Sequence, residues 1–391
     1  MKNKSETLHQ QLDSRFPCIA DLETAARKRM PKFAFDYLQG GIGRETALHR
    51  NRTGLDAICL RPHHITQGFE PQLQTRLFDQ TYSAPFGIAP LGLSGVIWPN
   101  MATLLARTSK KQNIPFVLST VATTSLEDIA REAPQTAWFQ LYIPNDQTIN
   151  RSLIERAKSS GYQTLVVTVD VPALGRRERD IRNGLAVPPK ISLSNIIQAA
   201  MCPAWSLQTL ANGFPQFHNL KQYVPPNTDL RSSASYISAL ARGHVSAERL
   251  QQIRDMWPGK LLVKGILNEQ DAKAAKDIGC DGVIVSNHGG RQLDAAPSTV
   301  QTIASIRKSV GKTFPVLIDS GVRSGLDIAR MLASGADFVF LGRSFAYGVA
   351  ALGQTGADHA HHILVQELKN TMSQLGCPTP DLLARTLINR S

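Results

Sequence analysis

Eight short apolar runs recur along the chain: 85–91 (PFGIAPL), 115–119 (PFVLS), 137–142 (AWFQLY), 164–169 (TLVVTV), 260–264 (KLLVK), 282–286 (GVIVS), 315–319 (PVLID) and 337–341 (DFVFL). Most are rich in β-branched or aromatic residues and are bounded by Gly, Pro, Asp or Ser, which is the pattern of a buried strand. They do not alternate between apolar and polar positions, so both faces of each strand should be covered. The spacers at 125–131, 149–159, 269–278 and 325–333 carry apolar residues at helical period. Gly161, Gly279 and Gly335 stand just beyond three of them, where helices end. This alternation predicts an α/β fold, a (β/α)8 TIM barrel. The rival is an open doubly wound sheet, but no glycine-rich dinucleotide turn follows an early run.

One spacer breaks the rhythm. Between Val169 and Lys260 the chain is far longer than a single crossover helix requires, and loops of that length are usually functional. Residues 183–245 are expected to form an insert after strand four. Its stretch 191–210 is apolar, with Met201, Trp205 and Leu210, and holds no acidic residue. Two readings stand side by side: an amphipathic segment lying in a membrane interface, or an ordered lid packed on the barrel. The whole chain, 1–391, reads as a single domain. Residues 1–84 are a helical cap with helices at 19–29 and 31–39, 85–350 the barrel, and 351–391 C-terminal helices. Gly40-Gly41-Ile42-Gly43 follows no strand and reads as a helix stop.

In a parallel barrel the C-terminal ends of all strands meet at one mouth, where catalysis is built. Those ends carry Pro90, Leu91 and Gly92; Ser119; Gln140 and Tyr142; Thr168 and Asp170, with Arg177 beyond; Lys264; Ser286 and His288, with Arg291; Asp319, Ser320 and Gly321, with Arg323; and Gly342 with Arg343. The run Ser286-Asn287-His288-Gly289-Gly290-Arg291-Gln292-Leu293-Asp294 is the most telling, since it sets an imidazole and a guanidinium on a glycine-opened strand end. The loops DSGVRSG and LGRS follow the seventh and eighth runs, where barrel enzymes bind phosphate through backbone amides and a helix N-terminus. Gln140, Thr168 and Ser119 suit the carbonyls and nitrogens of a flat heterocycle. Lys264 supplies positive charge where a reduced isoalloxazine develops negative charge. Arg177 and Arg291 can hold a carboxylate bidentately. His288 is the candidate general base, with Asp170 as its orienting partner. The bland alternatives are a structural Lys264–Asp170 ion pair, an ordinary polar role for Gln140, and simple packing for Tyr142. The histidines His359, His361 and His362 read as solvated surface rather than a metal site.

Charge and cysteine content narrow the classes. Lys+Arg of 43 against Asp+Glu of 31 gives a net charge of +12, which points to an anionic partner without choosing one. No basic stretch interleaved with aromatics supports nucleic acid. The five cysteines show no metal-ligand spacing, so no metal is expected, and their scatter points to a reducing compartment. The start, MKNKSETLHQQLDSRF, lacks a signal-peptide core. No run approaches the roughly twenty apolar residues of a membrane span. The expected location is the cytoplasm, or the cytoplasmic side of the inner membrane as a peripheral protein.

These residues also match a known family. SNHGGRQLD, together with FDYLQGG, IAPLGLSG, WFQLY, TVDVP, GRRERD, LVKGI, DSGVRSG and LGR in order, resembles the FMN-dependent L-2-hydroxy acid dehydrogenases and oxidases, and most closely the bacterial lactate and mandelate dehydrogenase branch. The resemblance implies FMN as cofactor, held by Pro90, Leu91, Gly92, Ser119, Gln140, Thr168, Lys264, Ser286, the stretch from Asp319, Ser320 and Gly321 to Arg323, and Gly342 with Arg343. It implies His288 as the proton-abstracting base, supported by Asp170, with Lys264 beside the flavin. Arg177 and Arg291 would bind the substrate carboxylate, assisted by Tyr37, while Tyr142 would contact the reacting hydroxyl. It further implies a small 2-hydroxy acid substrate, a quinone or other external electron acceptor, possible contact with the inner membrane, and a homo-oligomer, a tetramer in the family. Gly92 stands where many oxidases carry alanine, and Val121 where plant glycolate oxidases carry tryptophan. Ile42 departs from the family's usual alanine. The leading expectation is oxidation of L-lactate to pyruvate. The alternatives are (S)-mandelate or another larger acid, and a soluble oxidase yielding hydrogen peroxide. A non-catalytic flavoprotein, or a barrel binding a phosphorylated metabolite, is the reading from a different class.

Overall fold

All eight apolar runs are strands, and they close on one another. In the computed structural model, which describes residues 10–173, 175–185, 190–226, 228, 230–240 and 243–388, the barrel strands are β3 (Phe86–Ile88), β4 (Phe116–Ser119), β5 (Ala137–Leu141), β6 (Thr164–Thr168), β7 (Lys260–Ile266), β8 (Gly282–Val285), β9 (Val316–Ile318) and β10 (Phe338–Leu341). Each pairs in parallel with its neighbour in chain order, and β10 returns to β3. Nearly every strand residue is buried, as expected where side chains face a packed interior on one side and helices on the other. Strand β7 runs two residues past Lys264, with a register shift at Gly265.

The intervening helices start on cap residues read directly from the chain. Ser125, Asp146, Asn268 and Ser324 each accept a backbone N–H of the following first turn. Residues 1–9, and positions 186–189, 227, 229 and 241–242 of the insert, lie outside the described residues.

The cap preceding the barrel has helices Ile19–Arg29, Lys32–Gln39 and Thr46–Asp56, and Gly40 ends the second of them. It also contains an element absent from the helical expectation, the antiparallel hairpin of β1 (Thr75–Leu77) and β2 (Gln80–Tyr82). The hairpin closes the N-terminal end of the barrel. Leu77 and Tyr82 join the interior cluster with Trp138, Phe338 and Phe340. Tyr82 meets Phe338 edge-on at 5.8 Å and its hydroxyl accepts Trp138 Nε1–H at 3.3 Å.

The insert carries helices Leu193–Ala200, Pro203–Asn212 and Leu230–Leu240. Trp205 does not lie on its apolar outer face. It turns inward, edge-on to Phe33 at 5.6 Å, and its Nε1–H donates to the Val96 carbonyl at 3.3 Å. Buried Asn219 anchors the far end, its Oδ1 accepting the Leu126 N–H at 2.7 Å. What stays exposed along 191–214 is a series of large apolar residues: Ile191, Leu193, Ile196, Ile197, Met201, Leu207, Leu210 and Phe214.

The histidines of helix Gln354–Leu375 also correct an expectation. His359 and His361 are buried rather than solvated. His359 Nε2–H donates to the Phe16 carbonyl at 3.0 Å, and His362 Nε2 lies 3.2 Å from Asp13. A neutral imidazole can be buried once its N–H meets an acceptor, and here the chain's own N-terminal segment supplies it. Among the described residues no cluster could hold a metal ion.

Candidate active site

Strand β8 ends at Val285, and the chain turns sharply to present His288. Its Nδ1 lies 2.9 Å from Asp170 Oδ1, at the end of β6. A carboxylate can only accept, so Nδ1 carries the proton and Nε2 keeps its lone pair toward the mouth. There Tyr142 Oη–H donates to Nε2 over a long 3.4 Å. Burial holds the imidazole below its ordinary pKa, helped by Lys264 and Arg177, while Asp170 pulls the other way. For Asp170, burial works upward, but His288 and then Lys264 outweigh it and hold the carboxyl below its usual range. Gly265, at φ +106, lets the two strands meet here: a Cβ on it would lie 2.6 Å from Asp170 Cβ.

Lys264 Nζ does not pair with Asp170. It donates to Ser286 Oγ at 2.9 Å and forms an ion pair with buried Asp319 at 3.2 Å. Burial opposes the charge, but Asp319 and Asp170 outweigh it, so the ammonium is held above its ordinary pKa.

On the other side of His288 stand two guanidinium groups. Arg177 lies 3.6 Å from Asp180, and its buried Nε has no hydrogen-bond partner among the described residues. Arg291 donates to the carbonyls of Tyr37 and Gly40 at 2.6 and 3.0 Å and lies over the Tyr37 ring at 4.9 Å. Burial, with Arg177 adding repulsion, pushes Arg291 down to about 10. Two adjacent cations so incompletely neutralised form a ready seat for an anion. Tyr37 Oη–H donates to the Gly92 carbonyl at 3.2 Å. A Cβ on Gly92 would lie 2.9 Å from Val121 Cγ2, so Val121 borders the space that a side chain at position 92 would take.

The remaining predicted residues ring the same mouth. Gln140 Nε2 and Thr168 Oγ1 are buried without a partner among the described residues, an arrangement that costs stability unless something else bonds them. Ser119 Oγ accepts the Val121 N–H at 3.3 Å, and Pro90 and Leu91 follow β3, with Leu91 packed beside Gly342. Ser320 and Gly321 have φ of +80 and +90, opening the loop between Asp319 and Arg323. Helix Arg343–Leu352 begins alongside, where Ser344 Oγ–H donates to the Val322 carbonyl at 3.0 Å.

The Arg343 guanidinium is not turned outward. It donates to the carbonyls of Leu38, Gly289 and Gly40 at 2.8, 3.1 and 2.9 Å. Burial, with Arg323 and Arg291 nearby, pushes it down to about 9. Among the described residues no carboxylate lies within ion-pair distance of Arg291, Arg323 or Arg343. Orphaned donors at the strand ends and uncompensated positive charge at the last two loops fit a polar heterocycle with an anionic tail.

Sequence reasoning missed three residues of this neighbourhood: Asp180 beside Arg177, Asn287 beneath His288, and its partner Asn51. Asp180 and Asn287 lay inside quoted motifs but had no assigned task. Nothing in the sequence around Asn51 singled it out.

Fold and site together define a barrel enzyme with an imidazole–carboxylate pair facing two guanidinium groups. The FMN-dependent dehydrogenase family matches residues 26–390. The chain is 40% identical over 371 residues to (S)-mandelate dehydrogenase of Pseudomonas putida, covering 93% of each chain. It is 39% identical over 358 residues to L-lactate dehydrogenase of Pseudomonas syringae pv. syringae, covering 91% of this chain and 94% of the relative. The crystal structure of the monotopic membrane protein (S)-mandelate dehydrogenase superposes with a TM-score of 0.90 at 39% identity, covering 95% and 99% of the two chains. The chain belongs to the FMN-dependent dehydrogenases, flavoenzymes that oxidise CH–OH donors.

Proposed function

We propose that the protein oxidises an L-2-hydroxy acid, L-lactate to pyruvate in the leading reading, and passes the electrons to a quinone or another membrane acceptor. The observation that carries the substrate class is the seat formed by Arg177 and Arg291 beside the Nε2 lone pair of His288. A carboxylate placed between the guanidinium groups brings the neighbouring hydroxyl-bearing carbon toward the imidazole. Bound FMN supplies the two-electron acceptor for the oxidation. Gln140, Thr168, Ser119, Lys264 and Ser286 would hold its ring, with Pro90, Leu91 and Gly92 beneath it. The loops at Asp319, Ser320, Gly321 and Arg323 and at Gly342–Arg343 would hold its phosphate.

His288 takes a proton from the substrate at Nε2, and Asp170 stabilises the imidazolium that results. Tyr142 donates to the substrate oxygen, and Tyr37 braces the carboxylate side of the pocket. The test is anaerobic titration of the yellow protein with a panel of 2-hydroxy acids, following flavin absorbance. Absence of bleaching by every acid would overturn the reading. (S)-Mandelate is the second candidate substrate, supported by the small pair Gly92 and Val121, which leaves room for a larger side chain. Peroxide formed stoichiometrically in acceptor-free aerobic buffer would instead select the oxidase reading.

Because the base must be neutral in the free enzyme, activity is lost as pH falls through the His288 pKa. Burial lowers that pKa, so the acidic limb of kcat/KM is expected below pH 6.5, the ordinary histidine value. Asp170→Asn removes the group that raises it. The variant's limb should therefore move to still lower pH while kcat falls, and a limb that stays in place would separate Asp170 from His288.

The protein is further proposed to act at a membrane surface and as a homo-oligomer. No helix among the described residues is long and apolar enough to cross a membrane. The exposed apolar run of the insert supports interfacial binding instead, since burying it would release on the order of 10 kcal/mol. Ile196→Lys combined with Ile197→Lys should shift the protein from the membrane pellet to the supernatant with flavin still bound. Continued pelleting would favour the lid reading.

A further inference from the structure

His288 stands in a backbone conformation that its side chain disfavours. Its φ is +57, and Gly289 and Gly290 follow at +65 and +74. A left-handed non-glycine residue persists only where its surroundings fix it. Here the fixing bonds are few and specific. The His288 N–H donates to Ser286 Oγ at 3.0 Å, the Gly289 N–H to Ser320 Oγ at 3.1 Å, and the Gly290 N–H to Asn287 Oδ1 at 3.1 Å. The Gly290 N–H also donates to the Asn287 carbonyl at 3.0 Å, so the turn that presents the imidazole closes onto both the backbone and the side chain of the residue just before it.

That side chain is set from a distant part of the chain. Asn51 Nδ2–H donates to Asn287 Oδ1 at 2.9 Å, and Asn287 Nδ2–H donates back to Asn51 Oδ1 at 2.7 Å. A further Asn287 Nδ2–H reaches the Pro297 carbonyl at 3.0 Å. Both amides are buried, at 1% and 4% exposure, so neither has water as an alternative partner. The Pro297 carbonyl can only accept, so it sets the orientation of the Asn287 amide that aims Oδ1 at the Gly290 N–H, and Asn51 locks that orientation by completing the reciprocal pair.

The helix that carries Asn51, Thr46–Asp56, is docked against the mouth at three points. Asp294 accepts the Ala47 N–H at 2.9 Å, and a Cβ on Gly290 would lie 2.7 Å from the Leu48 nitrogen. Arg52, next to Asn51, donates to the Gly321 carbonyl at 2.6 Å and pairs with buried Asp327. One turn of helix therefore holds the His288 turn with one side chain and the loop between Asp319 and Arg323 with the next.

We propose that Asn51 is a positioning residue for the proton-abstracting step: by fixing the Asn287 amide it holds His288 in its left-handed conformation with Nδ1 on Asp170. Asn51 lies outside the substrate seat, and among the proposed flavin residues it packs only beside Gly321, where a Cβ would lie 3.0 Å from Asn51 Cβ. The inference rests on the reading of His288 as the base.

The experiment compares Asn51→Ala, His288→Ala and Leu55→Ala as purified flavin-bound proteins. Leu55 is buried on the same helix and reports the loss of packing alone. Asn51→Ala should lower kcat by about tenfold to a hundredfold, as small misplacements of a reacting group do, and should displace the acidic limb of kcat/KM. Its KM should stay within about threefold of wild type, because Arg177 and Arg291 are untouched. Leu55→Ala should lower the Tm while keeping wild-type kcat and pH profile. If Asn51→Ala does not fold, Asn51→Asp takes its place; it keeps the shape and the acceptor for Asn287 Nδ2 but, when ionised, loses the donor to Asn287 Oδ1. A folded variant with wild-type kcat and an unmoved acidic limb overturns the proposal, as does a kcat loss matched by Leu55→Ala at equal loss of Tm. Should His288→Ala turn over as fast as wild type, the base reading itself fails. Should His288→Ala be inactive while Asn51→Ala is unimpaired, only the inference about Asn51 fails.

Discussion

His288→Ala is expected to give a folded, yellow protein whose flavin is reduced by substrate about 10²–10⁴ times more slowly, the usual contribution of a positioned general base. No neighbour can stand in for it. Burial raises the Tyr142 hydroxyl far above working pH, and Lys264, tied to Asp319, is held in its charged form. Neither is a proton acceptor near neutrality. The side chain sits at the mouth rather than in the barrel's apolar core, so the fold should survive its loss. Anaerobic stopped-flow reduction separates this from slow acceptor turnover, because only the first half-reaction is followed. Reduction at the wild-type rate would take the proton step away from His288.

Arg291→Ala should cost both affinity and rate. A charge-assisted hydrogen bond is worth about 1.5–3 kcal/mol, so loss of a bidentate grip should lower kcat/KM by about 10²–10³. Part of the loss is structural, since the Tyr37 carbonyl loses the Arg291 donor, the Gly40 carbonyl is left with Arg343, and Tyr37 loses the cation over its ring. Arg291→Lys restores charge but not the planar fork, and should recover only part of the activity. The measurement is KM for the hydroxy acid together with inhibition by a substrate-sized carboxylate. Both constants should rise more than about tenfold in the alanine variant. A KM equal to wild type would remove Arg291 from carboxylate binding.

The eight strands were legible because a barrel strand covered on both faces leaves an unbroken apolar run, and runs such as TLVVTV have no other common explanation. The polar residues at their ends were legible for a related reason: in this topology the order of strands places their ends around a single mouth, so sequence position stands in for spatial position. The hairpin Thr75–Tyr82 was not legible. Its strands of three residues are too short to show a period, and they are held by Trp138 and Phe338, far along the chain. His359 and His361 sit in a helix whose pattern looks polar, but the segment near Phe16 packs against the first and the Phe86 ring of the barrel against the second. Trp205 looked like part of an exposed face because its acceptor, the Val96 carbonyl, is more than a hundred residues away. Asn51 gave no local signal at all, since its meaning lies entirely in Asn287. What sequence pattern conveys is periodicity and strand-end chemistry. Partners set by distant side chains need the folded chain.

The hairpin that fills the lower end of the barrel with Leu77 and Tyr82 also has a kinetic meaning. With the floor plugged by aromatic rings, nothing reaches the reacting centre through the barrel's lower end, and the reductant, its oxidised product and the acceptor are expected to take turns at the mouth. Double-reciprocal plots at several acceptor concentrations are accordingly expected to run parallel, the mark of a shuttle that is loaded and unloaded from the same side.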